Sequence, residues 1–246
     1  MKAWHDKFFR GLYGRVLAAQ FNPAISLKQA RLIRRLLRVR RGAKILDVPC
    51  GMGRITIPLA RSGLKMTGVD VTPGFIRGAM AAARRVKVKA RFFVADMRRL
   101  AFDGEFDAAF NWFTSWGYFT DRENLDALRR IRRALRPGGR FLVEGMNKSW
   151  VVRHLNLGRN MSRIGGVEVI QQSHWAPKTS RMSTLWELRR GRRVERHRIR
   201  VLVYDGAGIR RILQTAGFRD VKLYGRGGAP FSRHSRRIIA VATRPG

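Results

Sequence analysis

The stretch Lys44-Ile-Leu-Asp-Val-Pro-Cys-Gly-Met-Gly-Arg-Ile-Thr-Ile-Pro-Leu-Ala60 decides how the chain is read. A short apolar strand, Ile45 to Val48, runs into a glycine turn at Gly51-Met52-Gly53 and then into an apolar helix start. Glycines at these places let the backbone take positive φ and put no side chain between it and a ligand. A strand that passes through such a turn into a helix is where open α/β sheets hold nucleotide-like molecules, at the carboxyl ends of the strands. Paired glycines are common, so the turn gains its weight from the strands that come after it.

Lys65-Met-Thr-Gly-Val-Asp70-Val71 is a second short strand ending in an acid, 17 residues after Gly53. An acid there can accept hydrogen bonds from both ribose hydroxyls. Arg91-Phe-Phe-Val-Ala-Asp96-Met97 reads as a third strand and Phe106-Asp-Ala-Ala-Phe-Asn111-Trp-Phe113 as a fourth. Leu135-Arg-Pro-Gly-Gly-Arg-Phe-Leu-Val-Glu144 reads as a helix end, a turn and a fifth strand. In order and spacing, over about residues 43 to 146, these pieces resemble the class I S-adenosylmethionine-dependent methyltransferase family.

That resemblance implies a fold, a cofactor and a set of roles. The fold is α/β: a Rossmann-like, mostly parallel seven-stranded sheet with helices on both faces and an antiparallel last strand. The cofactor is S-adenosyl-L-methionine. Gly51 and Gly53 would lie against its amino-acid end and ribose, and Asp47 would receive the ammonium through water or turn amides, or simply cap the turn. Asp70 would accept from the ribose hydroxyls, against a plainer role as cap of the next helix. Asp96 would accept from the adenine amine, against an ordinary loop role. Val71 and Met97 would enclose the ring, with the Met97 amide donating to it. Asn111 and Phe113 would stand beside the sulfonium, where carbonyls and π faces suit a cation.

Around this core the chain divides into residues 1–43, 44–164, 165–204 and 205–246. The first part reads as helices from Trp4 to Ala19 and from Ser26 to Val39, the second with a stripe of Leu27, Ala30, Ile33, Leu36 and Leu37. Trp4, Phe8, Phe9 and Tyr13 on the first helix suit core packing. Such a helix often closes over the cofactor in related enzymes, which would bring Tyr13 to it. From 44 to 146, strands near 44–49, 65–71, 90–96, 106–112 and 140–146 alternate with helices near 53–62, 73–85 and 122–136, the pattern of a parallel sheet. Residues 165–204 alternate side-chain type between turns and read as a small antiparallel insertion docked on the main sheet, a roof over the substrate. A helix from Gly206 to Ala216 and a closing strand pair complete the chain.

The aromatic run Trp112-Phe-Thr-Ser-Trp-Gly-Tyr-Phe119 is the expected substrate wall, with Trp112, Trp116 and Tyr118 facing the acceptor or else buried in the core. Methyl transfer is an in-line displacement that needs alignment first and a base only if the acceptor keeps its proton. His174, Tyr118 and His154 are weak base candidates, because a lone histidine is more often structural or exposed.

Composition narrows the function. The net charge is +36, from 52 basic and 16 acidic residues, and 42 of the cations are arginine. Such a charge attracts polyanions whether or not binding them is the task. The arginines are spread along the chain, so a compositional surface and a polyanion site are both open. The leading expectation is methyl transfer to O or N of a small molecule. The alternative is an RNA- or ribonucleoprotein-directed methyltransferase, with RNA as partner, and a third is a non-catalytic cofactor-binding adaptor. The prolines of the Asn-Pro-Pro-Tyr/Phe motif of adenine amino-methyltransferases are missing after Asn111. The sole cysteine, Cys50, sits in the cofactor turn, which disfavours carbon-5 pyrimidine methylation. No zinc-like His/Cys spacing implies a metal. No apolar run nears the roughly 18 residues of a membrane span. With no secretory pattern at Met1, the expected location is cytoplasmic.

Overall fold

The structure is a computed structural model that describes residues 8–20, 22–154 and 159–246. Trp4 lies outside the described residues. Two helices lead the chain, α1 (Leu12–Gln20) and α2 (Pro23–Leu37). The second starts earlier than its apolar stripe, because the Asn22 side chain accepts from the Ile25 amide at 2.8 Å and Pro23 occupies the first turn. Ala30, Ile33, Leu36 and Leu37 are buried, whereas Leu27, read as part of the stripe, is 41% exposed.

The alternation comes next: β1 (Lys44–Asp47), α3 (Thr56–Arg61), β2 (Lys65–Asp70), α4 (Pro73–Arg85), β3 (Ala90–Val94), β4 (Phe106–Asn111), α5 (Asp121–Ala134) and β5 (Leu135–Met146). After α6 (Lys148–His154), four strands form a separate sheet: β6 (Arg159–Ile164), β7 (Val167–Ala176), β8 (Arg181–Arg190) and β9 (Arg193–Leu202). α7 (Gly206–Thr215), β10 (Arg219–Tyr224) and β11 (Arg237–Thr243) finish the chain.

The main sheet has seven strands in the order β10-β11-β5-β4-β1-β2-β3. β1 pairs in parallel with β2 and β4, and β11 runs antiparallel to β5 and β10, as expected for the fold. The order reverses between β1 and β4, which opens the crevice where such sheets bind ligands. Successive residues of the central strands bury on opposite faces. Ile45, Ala108, Phe110 and Leu142 pack with α2 and α3, while Leu46, Ala109, Phe141 and Val143 pack with α5 and α7. The side-chain period of two puts each strand in both layers at once. Thr120 and Glu123 cap α5 reciprocally, each side chain accepting from the other's backbone amide at 3.3 and 3.0 Å.

The second sheet departs from the expected insertion in two ways. It begins at Arg159 rather than 165, since Arg159-Asn-Met-Ser-Arg-Ile164 shows no alternation yet pairs in register with β7. It also docks chiefly on α1, with Met146 of β5 the point where it meets the main sheet. Val167, Val169 and Leu188 bury against Leu12 and Val16, and Ile199 and Val201 against Phe8.

Candidate active site

A cavity of about 240 Å³ lies at the carboxyl ends of β1 to β4. The glycine turn after β1 forms its floor. At Gly51, φ is 55° and a Cβ would meet nothing within 4 Å, so the backbone opens directly onto the cavity. Gly53 differs. It is absent from the lining, and a Cβ there would stand 3.3 Å from Ala79 and from Ile57. Its smallness lets the turn approach the neighbouring helices, a packing role beside the one expected toward the cofactor.

Asp47 and Asp70 flank this turn. Asp47 is 2% exposed and accepts from the Thr56 hydroxyl at 2.6 Å, tying the strand end to α3. Burial pushes its pKa up to about 8; the Thr56 bond and Arg54 oppose the shift, and Asp70 adds to it. Asp70 accepts from the Gly51 amide at 3.0 Å and from the Thr72 amide at 2.8 Å. It therefore holds both the turn and the start of α4. A carboxylate offers about four lone-pair sites, so two amides do not exhaust it. Asp70 and Val71 line the cavity beside Asp96 and Met97. Asp96 caps a short 3-10 turn through the Arg98 amide at 2.8 Å, and the Arg98 guanidinium pairs with both of its oxygens.

The loop after β4 supplies the opposite wall through Trp112, Phe113, Ser115, Tyr118 and Phe119. Phe113 and Thr114 take φ of 67° and 55°, a left-handed pair that costs roughly 1–2 kcal/mol per residue. The buried carboxylate of Glu144 holds them there. It accepts from the Phe113 amide at 2.9 Å and pairs with Arg237, which also donates to the Thr114 hydroxyl at 2.6 Å. Tyr13, Leu17 and Ala18 of α1 close the cavity from above, with Phe9 just before the helix. Burial raises the phenol pKa of Tyr118 to about 12 and pushes that of Tyr13 higher still, Tyr118 adding to the latter shift.

Other expected positions lie elsewhere. Asn111 is fully buried and absent from the lining; its Nδ2 donates to the Val48 carbonyl at 2.8 Å, stitching β4 to the turn after β1. Trp116 is core: it stacks on Tyr204 at 4.9 Å and donates from Nε1 to the Asn124 carbonyl at 3.1 Å. Gly117, with φ of 113°, turns the chain between Trp116 facing inward and Tyr118 facing the cavity. His174 is exposed on β7 opposite Ser183, on the sheet face away from α1, so it has no access to the site. His154, at the end of α6, stacks on Trp150 and is exposed.

The sequence reading missed Arg54, Phe75, Glu144 and Arg237. Arg54 donates to Gln29 at 2.5 Å, stands 5.6 Å over the Phe113 ring and lines the cavity. Its place directly after Gly53 was the available signal. Glu144 lies two residues before the end of the fifth strand, but Arg237 lies 93 residues away in sequence and only pairing of β11 with β5 brings them together.

The fold and this cavity define a class of protein, and sequence likeness agrees. Residues 45–139 match the family model described as a methyltransferase domain, so this part of the chain is a methyltransferase domain. Over 127 residues the chain is 37% identical to a demethylmenaquinone methyltransferase of Mycobacterium tuberculosis, covering 50% of each. Over 79 residues it is 32% identical to a 23S rRNA (uracil(1939)-C(5))-methyltransferase of Nitrosococcus oceani, covering 32% of this chain and 18% of that protein. The chain thus spans no more than half the length of these curated relatives. A solved S-adenosylmethionine-dependent methyltransferase from Clostridium acetobutylicum superposes with a TM-score of 0.80, covering 97% of this chain and 98% of that one. At 16% identity, that likeness bears on the fold alone.

Proposed function

We propose that the protein transfers a methyl group from S-adenosylmethionine to O or N of a small molecule. The observation that carries this reading is the cavity closed between the glycine turn, the aromatic loop and α1. Its residues fit the cofactor. Gly51 opens onto the cavity and would take the amino-acid end, Asp70 in the lining would accept from the ribose, and Asp96, Val71 and Met97, also in the lining, would hold the adenine. When bound, the cofactor would supply an electrophilic methyl, which the acceptor's lone pair would take as the carbon–sulfur bond broke, with S-adenosylhomocysteine and a proton as the other products.

The chain's own part is alignment and exclusion of water. Phe113 and Trp112 line the cavity, and the Glu144–Arg237 pair fixes Phe113. Tyr13 and Tyr118 are neutral at pH 7, as phenols ordinarily are, and burial raises both further, so they would donate to the acceptor rather than remove its proton. That gives Tyr118 and Tyr13 a positioning role and leaves the proton to solvent. Cys50 is buried with its pKa raised well above the ordinary thiol value, mostly by burial and further by Asp47 and Asp70. It is not an activated nucleophile, which weighs against carbon-5 pyrimidine chemistry at this site.

Likeness to a demethylmenaquinone methyltransferase supports a small acceptor. The net charge of +36 favours the RNA-directed reading, which requires a base to be extruded under α1 before it can react. The reading also puts the enzyme in the cytoplasm; no helix among the described residues is long and apolar enough to cross a membrane. The test is incubation with methyl-labelled S-adenosylmethionine and host extract, then separation of small molecules, RNA and protein. Label in the small-molecule pool, lost in Asp70→Ala, is expected. Label in RNA would replace the leading reading with its rival, and cofactor binding without turnover would make the protein an adaptor.

A further inference from the structure

At the other end of the main sheet, a groove of about 1010 Å³ opens at the amino-terminal starts of β1, β2 and β3. Its floor is apolar, built on Leu64, Met66, Ala83, Val88 and Phe92. Its rim is cationic. Four of the chain's ten lysines line it, Lys44, Lys65, Lys87 and Lys89, far more than an even scatter along the chain would put there. Arg61, Arg84 and Arg91 join them, and Glu105 is the one acid in the lining. Glu105 reaches Arg91 at 3.9 Å with both side chains largely exposed; the other six cations form no ion pair among the described residues.

General arginine bias does not explain a cluster of lysines. The carbonyl ends of α3 and α4 point this way, which accounts for Arg61 and Arg84 in their last turns. Lys44 and Lys65 instead open strands, and Lys89 and Arg91 stand at the start of β3. Lys87 takes φ of 53°, a conformation that costs glycine nothing and a lysine roughly 1–2 kcal/mol. Like charges around one concave surface raise its potential and concentrate counter-charge there.

We propose that this groove is a binding site for a ligand carrying several phosphates, lying about 20 Å from the methyl-transfer site along β2. The lysines neutralise the phosphates as mobile point charges, while the apolar floor takes the uncharged part of the ligand. The phosphates belong to an RNA strand or to a free polyphosphorylated metabolite. A second copy of this chain is disfavoured as occupant, because with 52 cations against 16 acids it would bring more positive charge to the rim.

The test compares two charge-matched triple variants. One is Lys65→Gln with Lys87→Gln and Lys89→Gln; the other is Arg190→Gln with Arg192→Gln and Arg198→Gln, all exposed on the second sheet. Inorganic tripolyphosphate and a short oligouridylate are titrated separately at near-physiological salt. The groove variant should bind weaker by roughly tenfold or more and the control by about twofold or less, since only the groove loses direct phosphate contacts. Loss with tripolyphosphate assigns a metabolite; loss with the oligonucleotide alone assigns RNA. Equal weakening of both variants would show bulk charge at work and overturn the site, as would wild-type protein that binds neither probe. Methyl transfer does not enter the readout, so this outcome is independent of the proposed activity.

Discussion

Replacing Asp47 by asparagine should make the protein more stable, and by an amount that depends on pH. Asp47 titrates near 8 in the folded chain against an ordinary value of 3.8, chiefly because burial penalises its charge. A raised folded pKa means that the folded state holds a proton the unfolded chain has released. That contribution is fully present below 3.8 and is lost as pH rises toward about 8. Each pH unit inside the window removes about 1.4 kcal/mol from the wild type, so between pH about 5 and 7.5 the loss approaches roughly 3 kcal/mol. An asparagine at this position would keep an oxygen to accept from Thr56 and has no proton to lose. In a chain of 246 residues, roughly 2–4 °C per kcal/mol converts that loss to about 6–12 °C of Tm. Urea titrations of both proteins at several pH values measure it: the curves should lie together near pH 4 and diverge upward. A difference that stays flat with pH would mean that Asp47 is ionised throughout, with Arg54 outweighing burial, and the electrostatic account of the turn would fall.

Other outcomes rest on the same geometry. S-adenosylmethionine holds its α-ammonium only below about pH 8, so its binding should tighten as pH rises from about 6 toward about 8 in wild type and not in Asp47→Asn, read by calorimetry. Asp70→Ala should weaken that binding by roughly 100-fold or more, since a buried acceptor of charge-assisted bonds is lost along with the turn it holds. Arg237→Ala leaves Glu144 charged and unpaired and should cost about 3–5 kcal/mol of stability. Arg237→Lys should recover part of that stability, and kcat should fall more than cofactor affinity in both variants if Phe113 is what the pair positions. His174→Ala should leave turnover within about twofold, because an exposed surface change is usually near neutral.

Much of this architecture is legible in the sequence. Alternating strands and helices from Lys44 to Met146 point to the parallel sheet, because strands buried on both faces read as short apolar runs between turn signals. Asp70, Val71, Asp96 and Met97 sit together because each closes or follows a strand at the same edge of that sheet. What sequence could not separate was inward from outward at the ends of strands. Asn111 and Trp112 are neighbours, yet one stitches the sheet and the other lines the cavity, and a single step of the pleat decides which. Trp116 and Tyr118 are split the same way by the turn at Gly117. The strand Arg159–Ile164 was hidden because its faces are mostly solvated, so no alternation records its pairing.

The roof and the closing helix are mechanically one piece. Glu195 on β9 accepts from the Leu12 amide at 2.9 Å, so a carboxylate of the second sheet caps the first turn of α1. Leu12 and Val16 have their apolar partners on that sheet as well. From β9 the Leu202 amide donates in turn to the Gly117 carbonyl at 2.8 Å, and Arg181 of β8 donates to Asp121 at 2.8 Å. A load placed on α1 therefore passes through the second sheet into the aromatic loop that walls the cavity, although more than 130 residues of chain separate α1 from β6.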